Sequence, residues 1–416
     1  MDRPPDQSAP IPLWRNRDYM ILLSGQTISY VGSFASQIAF PLLVLSITHS
    51  SLQAGLAGGL ERVPFLLLTL PAGAMVDRWN RKLVMILCDT VRALAFAAIP
   101  LAGATGRLGM PLLYGVALVE GVAFAFFNLC QVSALPRVVP PEQLPTATAR
   151  NQAGFGAAVF AGPPLAGLLF ALQRTLPFLA DAVSYAISTI SLLFIKTSFE
   201  GDRSAPRRPI LPEIREGISW LWQQPLIRFM AFLTGGINLL DASWALVLIV
   251  LAQRAFHASS GAIGLVLGVS AVGEIAGSFF GGWIQKRLSF GRAIATSCWG
   301  FAIGWTAIAA APNLPVVVLL VAVAGFSLPT YDVVQVSYRL ALIPDELQGR
   351  VNSVFRLIAA GTMPVGQVLV GALLQWSGPR ATILCVGAGL GLLSLTATLN
   401  PQIRHAPPIE QAVAMS

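Results

Sequence analysis

The chain has 416 residues, of which 55% are hydrophobic and 11% are charged, with a net charge of +8 and a mean hydropathy of +0.69. Soluble globular domains carry roughly 25% charged residues, so this composition excludes an ordinary soluble protein. The basic residues form no stripe interleaved with aromatics, so they indicate the loops of a membrane protein and not nucleic-acid binding.

Twelve long apolar segments predict twelve membrane-spanning helices, because a span needs about 20 apolar residues. None shows the alternation expected of β-barrel strands. The fold class predicted is therefore an all-α polytopic membrane protein. The segments lie at residues 18–47, 52–76, 83–104, 109–135, 146–173, 177–196, 224–252, 259–284, 290–311, 314–339, 351–375 and 379–399.

The apolar pattern divides the chain into two bundles, a linker and two tails. Of the 27 Lys and Arg residues, 21 fall on the side that holds both tails and the linker, which predicts cytoplasmic termini. Apolar residues at helical spacing within the linker predict a short amphipathic helix on the membrane surface, and a plain linker is the alternative. The predicted regions are a tail at 1–17, a six-helix bundle at 18–196, the linker at 197–223, a six-helix bundle at 224–400 and a tail at 401–416.

The last six segments repeat the first six at an offset near 204–209 residues. SSLQAGL at 50–56 matches SSGAIGL at 259–265, and QVS at 131–133 returns at 335–337. Matches in the same order at a nearly constant offset indicate duplication. The duplication predicts two bundles related by an axis along the membrane normal, with a cavity between them that can open to either side.

The segment GAMVDRWNRK at 73–82 is similar to the loop pattern G-x-x-x-D-R-x-G-R-R/K of the major facilitator superfamily. The arrangement of six plus six helices also resembles that superfamily. Asn80 stands where the pattern has glycine, and the second copy of the loop has Gln285 in place of the acid. The resemblance implies a gating loop with a packing glycine, a gating carboxylate and a basic network: Gly73, Asp77, Arg78, Arg81 and Lys82.

Three further stretches resemble the bacterial branch that includes the enterobactin exporter and macrolide efflux proteins: LPRVVPPEQLPTATARN (135–151), PFLADAVSYAIS (177–188) and EIREGISWLWQQP (213–225). The resemblance implies proton-coupled efflux of a small amphipathic molecule, such as a siderophore, a macrolide or another drug, by alternating access. We expect a monomer among the lipids of the bacterial inner membrane, with no cofactor. An importer, or a lipid or lysolipid transporter of the same fold, stays open as an alternative.

Other functional classes lack support in the sequence. It contains no Ser/His/Asp cluster, no HExxH and no Cys/His set, which argues against a membrane enzyme or a metal site. It also contains no nucleotide loop, which argues against direct ATP drive. A non-transporting receptor on this fold is a further alternative, but such a receptor would usually carry an added soluble domain.

Ionisable residues at bilayer depth point to a pathway, because each costs about 2.5–3.5 kcal/mol at a helix centre. Glu120, Asp241 and Glu274 are candidate proton carriers, and the alternative for each is an interhelical hydrogen bond or an ion pair with Arg62 or Arg92. Asp89 and Arg92, three residues apart, are predicted to form a charge pair. Asp181 and Asp332 lie nearer helix ends, so we expect them to be hydrated.

Helices 1, 4, 7 and 10 face the cavity in the superfamily, so the resemblance implies which residues line it. A mixture of aromatic and polar side chains suits a bulky, partly apolar ligand. The alternative for each residue is packing against a neighbour. Besides Glu120 and Asp241, the candidates are Gln26, Tyr30, Ser33, Gln37, Asn128, Asn238, Trp244, Phe326, Tyr331 and Gln335.

Overall fold

The structure, a computed structural model, describes residues 12–76, 79–200 and 210–407, whose secondary structure is helical. The N-terminal half comprises α1 (Arg17–Thr48), α2 (Ser51–Val76), α3 (Arg81–Ala104), α4 (Met110–Val138), α5 (Leu144–Leu172) and α6 (Leu176–Phe194). Helix α7 (Ile210–Gln223) lies in the linker. The C-terminal half comprises α8 (Pro225–Asp241), α9 (Trp244–Phe256), α10 (Ser260–Arg287), α11 (Phe290–Ile308), α12 (Leu314–Leu342), α13 (Gln348–Gly361) and α14 (Met363–Leu399), followed by the short α15 (Pro401–Arg404).

The described helices fit twelve spans in two groups of six. Nine helical stretches are by themselves long and apolar enough to cross a membrane. Helices α2 and α11 are not among the nine, and residues 345–399 contain two spans counted as one. Those two spans divide at Gly378, whose φ of +77° lies in the left-handed region that glycine adopts without steric cost.

Two predicted spans are interrupted, which corrects the sequence prediction of continuous helices. The span predicted at 224–252 ends its first helix at Asp241 and resumes at Trp244, with a turn at Ala242 and Ser243. The span predicted at 351–375 is divided at Thr362. Hydropathy does not register such breaks, because they are tolerated wherever a neighbouring helix satisfies the freed backbone groups.

Hydrogen bonds and an ion pair mark one of the two faces of the molecule. The Asp18 carboxylate at the start of α1 accepts from the backbone N–H of Lys196 and Thr197, after the end of α6. In the C-terminal half, the Arg350 guanidinium lies 2.7 Å from the carboxylate of Glu216 on α7. We call the side that carries these residues the linker face, and the opposite side the far face.

Small residues join the two halves near the far face. Helix α2 packs on α14 and α5 packs on α10. A Cβ at Gly55 would lie 3.1 Å from the Gly371 Cα, and a Cβ at Gly264 would lie 3.1 Å from the Gly167 Cα. These backbones approach so closely because neither helix carries a side chain at the crossing. The contacts belong to the far-face portions of all four helices, so the far face is closed.

Candidate functional site

A cavity of about 110 Å³ lies between the halves, beneath the far-face contacts. Residues from α1, α2, the α8–α9 turn and α14 surround it. Phe40 and Trp244 contribute aromatic surface. The polar part of the lining comprises Gln37, Glu61, Arg62, Ser243 and Gln367. Convergent polar groups on an otherwise apolar concave surface are typical of a small-molecule site.

Gln367 holds the interrupted seventh span together at this cavity. Its Nε2 donates to the Ala242 carbonyl at 2.5 Å, and its Oε1 accepts from the Ser243 hydroxyl at 2.9 Å. The same side chain abuts the N-terminal half, because a Cβ at Gly58 would lie 2.8 Å from the Gln367 Oε1. Gln367 therefore forms hydrogen bonds with the turn in the broken helix and also packs against α2.

A buried ion pair lies in the N-terminal half. The Nε of Arg92 donates to one Glu120 carboxylate oxygen at 2.8 Å, and its Nη2 donates to the other. The Asp89 carboxylate lies 3.7 Å from Nη1, and the guanidinium carbon lies 4.3 Å from the centre of the Tyr185 ring. The predicted Asp89–Arg92 contact is present, but Arg92 makes its closest bonds to Glu120. A two-pronged pair of this kind fixes the geometry of both side chains.

Hydroxyl groups extend this cluster to α1 and α6. The Tyr185 hydroxyl lies 3.5 Å from both Glu120 oxygens and 2.8 Å from the Ser33 hydroxyl. The hydroxyls of Ser36 and Ser184 both donate to Asp181. Asp181 is completely buried, so the expectation that it is hydrated is wrong. Its partner Ser36 lies near the middle of α1, which shows that the start of α6 is deep in the bundle.

Two acids of the C-terminal half, Asp241 and Glu274, lack basic partners within the described ranges, whereas Asp332 interacts electrostatically with Arg339. Asp241 ends α8 beside the cavity, Glu274 lies half-buried on α10, and Asp332 is exposed on α12. Glu274 and Asp332 are both close enough to Asp241 to interact with it electrostatically. The structure therefore groups two of the three predicted proton carriers in one half and places the third, Glu120, in an ion pair in the other.

The predicted cavity-lining residues divide into two sets. Gln37 and Trp244 line the cavity. The others lie within one half. In the N-terminal half, Gln26 and Tyr30 contact Gln131, Ser33 contacts Tyr185, and Asn128 is half-buried on α4. In the C-terminal half, Asn238 donates to the Ala359 carbonyl, and the Tyr331 hydroxyl forms a hydrogen bond with the Thr234 hydroxyl. Phe326 packs on Phe280, and Gln335 is buried.

The predicted gating loop is described only in part. Gly73 lies within α2, and Asp77 and Arg78 lie outside the described residues. The Arg81 guanidinium donates to the Phe199 carbonyl at 3.5 Å, and the Lys82 ammonium donates to the Ile195 carbonyl at 2.5 Å. These two basic residues thus contact the chain after α6, within their own half.

The structure places Glu61, Arg62 and Gln367 in the cavity wall. The sequence marks Glu61 and Arg62 as a pair at bilayer depth, with Arg62 a possible ion-pair partner for a buried acid, but it gives no role to Gln367. The signal for Glu61 and Arg62 was present, because two charged residues in the middle of an apolar segment are expensive. Gln367 had no such signal, since a glutamine within a span is unremarkable until its partners on another helix are known.

Comparisons with known proteins agree on one kind of molecule. Residues 8–414 match the family model described as "Transmembrane secretion effector". The chain is 27% identical over 412 residues to the multidrug efflux pump Tap of Mycolicibacterium fortuitum, covering 93% of this chain and 96% of that protein. It is 24% identical over 401 residues to macrolide efflux protein A of Streptococcus pyogenes, covering 94% and 97%. A mutant of the nucleoside transporter NupG superposes with a TM-score of 0.76 at 12% identity, covering 91% of this chain and 98% of that one, which shows the shared fold.

Proposed function

We propose that this chain, an efflux transporter that belongs to the transmembrane secretion effector family of the major facilitator superfamily, exports a small amphipathic molecule in exchange for protons. Both named efflux relatives align over almost their whole length. Their names, a multidrug pump and a macrolide exporter, support a drug-like substrate class. The partners of this chain are then the substrate, protons and the surrounding lipids.

The observation that carries the proposal is a charged cavity capped by the far-face contacts between the halves. We take the linker face as cytoplasmic, because most basic residues lie on that side. The state described is then closed to the outside, as an exporter must be when it loads substrate from the cytoplasm. Rocking of the two halves about the cavity would expose it to the other side.

Protons enter the proposed cycle at the buried acids. Asp241 is the most direct candidate, because it ends a broken helix beside the cavity and has no basic partner within the described chain. Glu274 is close enough to interact with it electrostatically, so the charge of one acid affects protonation of the other. Glu120 acts differently, because protonating it would release the Arg92 guanidinium. A gating role for Asp77, with Arg78, Arg81 and Lys82, completes the proposal at the linker face.

Transport of erythromycin, a macrolide, into everted vesicles under a pH gradient tests this function. Wild-type vesicles should accumulate the drug and release protons, and dissipating the gradient should stop both.

Asp77→Asn should slow turnover, while Glu120→Gln and Asp241→Asn should uncouple proton release from transport. Erythromycin transport that does not depend on the pH gradient would contradict proton coupling. If all three variants retained wild-type transport and proton movement, the site assignments would be wrong. Accumulation only in the opposite direction would favour an importer.

A further inference from the structure

Arg62 is a charged residue of the cavity to which no role is yet assigned. It follows Ser51, the first residue of α2, by eleven positions and so lies near the middle of this 26-residue helix. Its side chain is half-buried and lines the space between the halves. Arginine at such depth is rare and costly, and it is usually retained for a pathway or a ligand.

The guanidinium of Arg62 interacts electrostatically with Glu61 but has no closer partner in the described parts of the chain. It makes no ion pair, hydrogen bond or ring contact there. Glu61 precedes it, but successive helix residues point about 100° apart, and the two side chains are not within ion-pair distance. Arg92 provides the contrast, because Glu120 and Asp89 occupy its donors.

The surroundings of Arg62 define what could satisfy it. Phe40 and Trp244 offer apolar aromatic surface, while Gln37 and Gln367 offer amide groups in the same cavity. A guanidinium presents a planar fork of N–H donors that matches the two oxygens of a carboxylate or sulfonate. An unpaired fork next to aromatic walls therefore matches a ligand with an acidic group on an apolar body.

We infer that Arg62 binds an acidic group of the exported molecule, so that the substrates of this transporter include amphipathic anions and zwitterions. The inference rests on the proposed function and specifies its substrate class. Glu61, in the same cavity wall, leaves room for a cationic group elsewhere on the ligand. A zwitterion would therefore satisfy both charged residues of α2 at once.

Two dyes that differ in one group test this assignment. Rhodamine B carries a free carboxylate, and its ethyl ester carries none. Binding of each to the purified full chain can be followed by fluorescence anisotropy. The wild type should bind rhodamine B roughly 10- to 100-fold more tightly than the ester, the range expected for hydrogen bonds to a charged group. Arg62→Gln should abolish this preference, so that the two dyes bind with similar affinity.

Two further variants control for folding and for general charge. Arg62→Lys keeps the positive charge but loses the fork, so it should retain only part of the preference. Arg254→Gln removes an exposed arginine at the end of α9 and should behave as wild type. Equal binding of both dyes by the wild type, binding of neither, or a preference that survives in Arg62→Gln would overturn the inference. Export of the ester by wild-type vesicles tests the proposed function separately, because that step does not depend on Arg62.

Discussion

At the residue scale, the buried charges differ in how much of their role the sequence reveals. The spacing of Asp89 and Arg92 predicts their contact, because residues three apart share a helix face. The stronger bond, from Arg92 to Glu120, joins residues 28 positions apart on different helices and has no periodic signal. The same holds for Asp181, whose burial depends on how deep α6 begins in the bundle. Contacts within one helix could be predicted from spacing, but partners across helices and the depth of α6 in the bundle could not.

The Arg92–Glu120 pair should dominate the stability of the N-terminal half. Glu120→Gln removes the charge that compensates a guanidinium only 5% exposed. Breaking one partner of a buried pair is expected to lower the free energy of unfolding by about 3 kcal/mol. Glu142→Gln, at an exposed acid before α5, is the matched control and should have almost no effect. Thermal unfolding of the two variants in detergent measures the difference, and equal transition temperatures would show that the pair contributes little.

At the element scale, hydropathy predicted where the chain crosses the membrane but not where a crossing is interrupted. The turn at Ala242 and Ser243 falls inside a continuous apolar run, and its stability depends on Gln367 from another span. The far-face crossings do have a signal in the sequence. Glycines recur at a spacing of about four residues along α2, α5 and α10, and such small residues allow close helix approach. Which helices meet there follows only from the assembled halves.

The α5–α10 crossing should keep the far face closed. A side chain at Gly264 would collide with the Pro163 carbonyl and the Gly167 backbone, so Gly264→Val should separate the halves there. Gly261→Val is the control, because a Cβ at that position meets only the Ser259 hydroxyl, 4.0 Å away.

Labelling of a cysteine placed in the cavity at Ala245 reports this separation. The exposed native Cys385 is replaced by serine, and an impermeant maleimide is added on the far-face side. We expect labelling several-fold above background in Gly264→Val and background labelling in Gly261→Val. Equal labelling of the two would mean that this crossing does not seal the cavity.

At the scale of the whole molecule, duplication made the architecture predictable. Six spans repeated at an offset near 204–209 residues predict two bundles with a cavity between them, and the described helices fit twelve spans in two groups of six. The charged residues within the spans do not follow the repeat. Glu120 is neutralised within the N-terminal half, whereas Asp241, Glu274 and Arg62 have no ion-pair partner among the described residues. Function therefore lies in the differences between the copies, which the shared pattern does not predict.

The central claim is that the two faces open alternately, and paired distance measurements test it most directly. Spin labels at Gln173 and Ser259, exposed at the ends of α5 and α10, report the far face. Labels at Glu142 and Glu346, exposed before α5 and α13, report the linker face.

Double electron–electron resonance on both pairs, in the Cys385→Ser background, follows the populations at acidic and alkaline pH with and without erythromycin. We predict that the far-face distance lengthens in the same fraction of molecules in which the linker-face distance shortens. Two distances that never change, or that lengthen and shorten together, would contradict alternating access in this protein.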